Sequence, residues 1–326
     1  MNIKEVYGVG NAIVDVIAEV DDQFLSELAL EKGNMTLVDN EHMAHLEDKL
    51  SSAPKKIMSG GSAANTVFAV QAFGGSTAYA CRLSNDRNGE HFFRDFSESG
   101  ISMSNSSIVN EGATGQCLVL VTPDAERTMA TNLGVSANLT NSCIDEKTLS
   151  ESKTVYLEGY LATSEKNTGV ALQAREIAVK AGAEVALTLS DASILGPFRS
   201  AFESFIGEGV EILFCNEQEC LNWSRTDRID LAITEMRDFA KEIYITLGAK
   251  GSIVISSAGV EEVGTDQVIA IDTNGAGDMY AGACLFARTQ KLTSKECALF
   301  ANKCAGAIVQ EYGARFSSVT EYRELI

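Results

Sequence analysis

Asp272-Thr273-Asn274-Gly275-Ala276-Gly277-Asp278 sets a carboxylate at each end of a turn of small residues, just ahead of a run with helical spacing, Met279 to Thr289. Glycine and alanine leave the backbone N–H groups of Gly275, Ala276 and Gly277 uncovered. A helix starting there adds partial positive charge, so the turn can hold an anion without any cationic side chain. Asp278, at its edge, is placed to take the proton from a hydroxyl as that hydroxyl attacks a phosphoryl group. A strand-to-helix turn capped by an aspartate would explain a bare Gly-x-Gly, but two carboxylates framing the turn fit phosphate chemistry better.

Four other stretches carry residue types suited to the same chemistry. Ser59-Gly60-Gly61-Ser62-Ala63-Ala64-Asn65 precedes a helical run; Gly61 permits close approach, and Asn65 offers both a donor and an acceptor to a diol. Cys215-Asn216-Glu217-Gln218-Glu219 follows the apolar strand Ile212-Leu213-Phe214 and supplies the hard oxygen ligands Mg²⁺ prefers, although an acidic helix start looks similar. Thr246-Leu247-Gly248-Ala249-Lys250-Gly251 lies between two strands and reads as a hairpin turn. Tyr7-Gly8-Val9-Gly10-Asn11-Ala12-Ile13 is a poor dinucleotide fingerprint: Ile13 takes the third glycine position, and the following residues alternate like a strand. His42, His45 and His91 lie away from every motif and take no role.

Together these stretches resemble the signatures of the ribokinase-like (PfkB) family of carbohydrate and nucleoside kinases, over nearly the whole chain. The Asn274-Gly275 wording is most similar to the family's adenosine kinases. The resemblance implies an α/β fold, a doubly wound, mostly parallel sheet with a small β-sheet lid over the substrate site. It makes Asp278 the catalytic base, has the Gly275, Ala276 and Gly277 amides stabilise charge on the transferred phosphoryl group, and brings Arg127 to that phosphate from the lid. Asp15, next to the Gly10-Asn11 turn, would bind ribose hydroxyls with Asn11, while Gly61 and Asn65 contact the sugar. Leu37, Cys117, Met129, Leu133 and Tyr160 would line an apolar purine pocket. Thr246, Gly248, Gly251, Asn274 and Asn302 would touch nucleotide, and Asn216 and Glu219 would act on Mg²⁺ through water. Lys250 is read as a solvated turn lysine.

The implied reaction is transfer of the γ-phosphoryl group of ATP to the 5′-hydroxyl of adenosine, forming AMP in purine salvage, with Mg²⁺ required and a role open for K⁺. A sugar kinase acting on ribose or fructose is the alternative within the class. A nucleoside-binding regulator without catalysis is the alternative outside it, and the retained Asp278 and Glu219 speak against it. Thr188-Leu189-Ser190 departs from the Asn-Leu-Ser of many adenosine kinases, and Tyr160-Leu161 stands where an aromatic often stacks on the purine.

Composition agrees with such an enzyme. The 326 residues, 45% hydrophobic, can bury a large core with an accessory lobe. A formal net charge of −19 argues against nucleic acid or an anionic membrane as partner. The eight cysteines show no Cys-x-x-Cys pair and read as reduced and mostly buried. No signal peptide or membrane span is apparent, so a cytoplasmic monomer or homodimer is expected.

The elements that must position these residues follow from periodicity. From about Lys153 the chain alternates strands (154–160, 184–189, 212–215, 242–246, 253–256) with helices (166–181, 194–206, 228–239, 279–289, 294–311), the pattern of a parallel sheet covered on both faces. The first third is different: 14–20, 35–38, 115–121 and 127–131 are short and β-rich, while 62–73 and 89–98 read as helices. With the family resemblance, residues 14–39 and 112–133 are expected to form the lid, and 1–13, 40–111 and 134–326 the core that carries the ATP and catalytic sites.

Overall fold

A computed structural model describes residues 3–33, 35–51, 55–124 and 126–326. Strands Val6–Val9, Thr154–Glu158, Glu184–Thr188, Val210–Asn216 and Ala240–Thr246 pair successively in parallel, and Thr77–Ala80 and Ser102–Met103 extend the sheet beyond Val6–Val9. The antiparallel strands Ser252–Ser256 and Gly259–Val263 complete nine strands at the other edge.

Strand periodicity assigns the two faces. Tyr156, Ala186, Ile212, Phe214 and Tyr244 point into one core with helices Ser62–Phe73, Ala276–Thr289 and Ser294–Ile308, whereas Val155, Leu157, Leu187, Leu213 and Ile245 point into the other with helices Glu165–Ala181, Arg199–Ile206 and Glu217–Ser224. Covered on both sides, the sheet leaves its carboxyl ends as the natural place for a ligand crevice.

A five-stranded sheet is ordered Met35–Leu37, Arg127–Asn132, Gly115–Val121, Ile13–Glu19, Lys55–Gly60. One face (Val14, Val16, Ala18, Leu118, Leu120, Ala130) joins the first core; the other carries Ile13, Cys117, Val119, Met129 and Leu133 as a separate apolar cluster. Lys55–Gly60 is a strand that periodicity does not single out, and it lies inside the 40–111 span expected to be core. It pairs with Ile13–Glu19 and runs through Gly61 into helix Ser62–Phe73, so this sheet is wired directly to the candidate site.

Several expected boundaries shift for local reasons. The expected helix 194–206 is two, Ala192–Leu195 and Arg199–Ile206, because Pro197 has no N–H to continue the ladder. The helix expected at 228–239 stops at Met236, since Ala240 already belongs to a strand. Helices Asp22–Glu27 and Asn40–Lys49 pass unnoticed in the periodicity, although Asp21 and Asp39 cap them by accepting from Phe24 N and His42 N. All eight cysteines are free and buried.

Candidate active site

Helix Ala276–Thr289 begins three residues earlier than the periodicity predicts, which puts Asp278 in its first turn. Its N-cap, Gly275, sits at φ +75° with no side-chain cap, and a Cβ there would lie 2.3 Å from the Ala314 Cβ. Only glycine fits that turn. Gly277 is exposed, with nothing within 4 Å of where its Cβ would be, so this end of the helix is open to a ligand.

Helix Ser62–Phe73 runs alongside it, drawn close where Gly282 meets Ala69 and the Thr66 carbonyl. That packing delivers three side chains to Asp278. Ser62 Oγ donates to Oδ1 at 2.7 Å, Asn65 Nδ2 donates to Oδ2 at 3.0 Å, and Thr66 Oγ1 donates to the Asp278 carbonyl at 3.3 Å. Burial pushes the Asp278 carboxyl up to about 6, while the Asn65 and Ser62 bonds and the Arg315 charge hold it down. A carboxyl that titrates just below neutrality is largely ionised at pH 7 and basic enough to accept a hydroxyl proton.

Asp15 lies in the middle of Ile13–Glu19, in register with Cys117 on the next strand and Met58 on the other. Among the described residues no protein group donates a hydrogen bond to its carboxylate, and burial raises it to about 7 against the charges of Arg315 and Arg127. Gly60 presses against it: a Cβ at that position would be 2.5 Å from Oδ2. Gly61, at φ +105°, leaves no room for a side chain either, since its Cβ would meet the Asn11 carbonyl.

The other expected site residues are placed as follows. Cys117, Met129 and Leu133 come together with Ile13 on the same face as Asp15, but Leu37 is 64% exposed. Tyr160 sits apart from them, its hydroxyl 3.4 Å from Asp191 and its phenol raised by burial and by Asp191, Asp278, Glu158 and Glu219. Asn11 is buried and committed internally: its N–H and Nδ2 donate to Glu158, and its Oδ1 accepts from Ser136 and Asn167. Arg127 pairs with Asp272 at 2.7 Å, below the Tyr312 ring, and so ties the small sheet to the Asp272–Asp278 turn. Thr246, Gly248 and Gly251 lie on the hairpin that joins Ala240–Thr246 to Ser252–Ser256, one strand in from the sheet edge, with Gly248 and Gly251 at positive φ and Lys250 exposed. Asn274 donates its N–H to Asp272 Oδ1. The Asn302 amide is spent on Ser252, Val263 and Gly264, a brace behind that hairpin.

Asn216 and Glu219 form the capping box of helix Glu217–Ser224, with Asn216 Nδ2 donating to Glu219 Oε1 at 2.6 Å and Oδ1 accepting from Glu219 N. The asparagine thus aims the carboxylate rather than offering its own oxygen. Burial, with a smaller push from the negative charges of Asp191 and Asp278, raises Glu219 to about 7 against the hydrogen bond from the Asn216 N–H. No group of three metal-binding side chains occurs among the described residues.

Two residues join this site without any sequence signal. Glu158, fully buried, ends a central strand and accepts from Asn11 N and Nδ2 and from Ala63 N, capping the helix that holds Asn65. Burial raises it to about 7 against those bonds. Arg315 donates from Nε to Asn65 Oδ1 at 2.9 Å.

The pfkB family carbohydrate kinase profile matches residues 35–321. The chain belongs to that family. It is therefore an ATP-dependent phosphotransferase that acts on a hydroxyl group of a small molecule. As a pfkB kinase it is similar to an adenosine kinase from Sinorhizobium meliloti, 33% identical with a TM-score of 0.88 and all of both chains covered. A probable sugar kinase from Rhizobium etli is 30% identical with a TM-score of 0.87, again over both whole chains. Among curated proteins, the adenosine kinase of Saccharomyces cerevisiae is 24% identical, over 95% of this chain and 96% of its own. The ribokinase-like fold expected from the motifs is the fold observed. Among the described residues no helix is long and apolar enough to cross a membrane.

Proposed function

We propose that this pfkB kinase transfers the γ-phosphoryl group of ATP to the 5′-hydroxyl of adenosine. The observation that carries the reading is the Asp15 face of the small sheet: a carboxylate with no hydrogen-bond donor among the described residues, set in a row with Cys117 and beside Ile13, Met129 and Leu133. A carboxylate left without donors is suited to a diol, and the apolar surface beside it to a purine rather than to bulk water. Adenosine kinases among its relatives point the same way.

In this reading Asp15 accepts from the ribose hydroxyls, and the backbone at Gly61 allows the sugar to lie close. The 5′-hydroxyl is then directed to Asp278, which accepts its proton as the oxygen attacks phosphorus. Ser62 and Asn65 keep the carboxylate aimed. The amides of Gly275 and Gly277 would stabilise charge on the phosphoryl oxygens, that of Ala276 being turned to the Thr273 carbonyl at 3.3 Å. Arg127, on the strand Arg127–Asn132 and paired with Asp272, would bring a positive charge from the small sheet to the phosphoryl oxygens. Mg²⁺, oriented by Glu219, would neutralise the triphosphate. Asp272 has both carboxylate oxygens engaged, by Asn274 N and by Gly313 N with Arg127, so a K⁺ requirement is a separate matter for titration.

Replacing Asp278 by alanine tests the mechanism. Turnover should fall by about 10²–10⁴-fold while ATP binding persists. Turnover near that of the wild type would remove Asp278 from the role of base.

A further inference from the structure

Arg315 is a full charge whose side chain is only 5% exposed. Burying a guanidinium is costly unless partners surround it, so its neighbours indicate what it is for. Its Cζ lies 4.3 Å from the Phe68 ring and 5.0 Å from the Phe96 ring, and Nη1 reaches Asp95 at 3.2 Å. Nε takes the Asn65 oxygen, and Nη2 is buried with no hydrogen-bond partner among the described residues.

The segment that carries it is bound to the phosphate turn. Gly313 N donates to Asp272 Oδ2 at 2.7 Å, and Ala314 fills the space that the missing Cβ of Gly275 leaves. Gly313-Ala314-Arg315 therefore runs from the anion-binding turn to the asparagine that holds Asp278. A guanidinium has donors only, so the side of the Asn65 amide that faces it must be the oxygen. Nδ2 is then forced toward Asp278 Oδ2, where the structure has it.

We propose that Arg315 is a positioning residue for phosphoryl transfer: it locks Asn65 in the one amide orientation that donates to the Asp278 carboxylate, and it places a buried positive charge behind that pair. The proposal rests on the reading of Asp278 as the base. The electrostatics agree, since the Arg315 charge opposes the effect of burial on both Asp278 and Asp15. The other groups facing Asp278 are Ser62 and Thr66 on its neighbour helix, Asp15 on the small sheet, Tyr79 on the strand Thr77–Ala80, Tyr156 and Glu158 on the strand Thr154–Glu158, Tyr160 just after it, and Glu219. Among these carboxylates, phenols and hydroxyls of the described residues there is no second cation.

The test is steady-state kinetics with ATP and adenosine across pH for Arg315→Met, Arg315→Lys, Asn65→Ala and the double variant Asn65→Ala/Arg315→Met, in the full chain. Arg315→Met should lower kcat at pH 7 by about tenfold or more while leaving the KM for ATP nearly unchanged, and should move the acid limb of the kcat profile up by about one pH unit, the scale of losing a nearby opposite charge. Arg315→Lys should restore the limb but not kcat, because an ammonium keeps the charge and loses the fixed fork. In the Asn65→Ala background the arginine change should cost several-fold less than in the wild type. An unmoved acid limb with additive losses overturns the proposal. If Arg315→Met does not fold, Arg315→Lys and Asn65→Ala form the cycle, and full kcat in the lysine variant overturns it. The companion Asp278→Ala separates the two claims: its retained turnover sinks the base assignment, whereas its loss beside an indifferent Arg315 sinks only this one.

Discussion

Asp15→Asn should make this enzyme more stable and a poorer kinase, and the structure sets the size of the first effect. The Asp15 carboxyl is raised from 3.8 to about 7, chiefly by burial, which the charges of Arg315 and Arg127 offset only in part, and no hydrogen-bond donor among the described residues reaches it. A carboxyl with a raised folded pKa is protonated in the folded chain and ionised in the unfolded one between those two values, so folding loses stability as pH rises from about 4 to about 7 and stays low above that. A shift of about three units at about 1.4 kcal/mol each gives a ceiling of about 4 kcal/mol, which asparagine, uncharged and of the same shape, would recover in part. A gain of about 1–3 kcal/mol at pH 8 is expected after relaxation and partial hydration are allowed for. Urea unfolding of both proteins without ligand, at pH 8, 6 and 4, measures it through the midpoint. The gain should be full at pH 8, smaller at pH 6 and absent at pH 4, with kcat/KM for adenosine sharply reduced. An Asn variant no more stable than the wild type at pH 8, or a gain that does not change with pH, refutes the reasoning.

Gly275→Ala forces φ +75° on an L-residue and drives a Cβ to 2.3 Å from the Ala314 Cβ, so thermal unfolding should show a loss of about 1–3 kcal/mol together with lowered kcat. Gly277→Ala is the control for stability alone, since its Cβ meets nothing and its melting temperature should hold or rise. Glu219→Gln removes the charge that the Asn216 capping box aims, and titration with Mg²⁺ should show the half-saturating concentration raised by about 10–100-fold; an unchanged Mg²⁺ dependence would detach Glu219 from the cation.

What the sequence made legible was chemistry that local backbone dictates. Gly275 and Gly61 stand out as small-residue turns leading into helices, and Asn216 with Glu219 as an acidic helix start, because each is settled within a few residues; the structure adds the positive φ of both glycines and the capping box. The alternating faces of the central strands were legible for the same reason. Glu158 and Arg315 were not, because their partners lie 147 and 250 residues away and nothing in Leu157-Glu158-Gly159 or Ala314-Arg315-Phe316 marks them locally. Asn11 and Asn302 show the converse: a residue in a motif-like setting whose amide the fold spends on its own interior. Lys55–Gly60 escaped because its stretch opens on two lysines and is short of β-branched residues, and its strand character comes from pairing with Ile13–Glu19.

The central claim is phosphoryl transfer to a nucleoside, and a steady-state panel of adenosine, inosine, guanosine, ribose and fructose with ATP and Mg²⁺ tests it directly. A purine gains from apolar area removed from water, at about 25 cal/mol per Å² before ordering costs, and free ribose offers the Cys117, Met129 and Leu133 surface almost none. Adenosine should therefore exceed ribose and fructose in kcat/KM by several powers of ten, whereas ribose or fructose as the better substrate would contradict the account of the acceptor site.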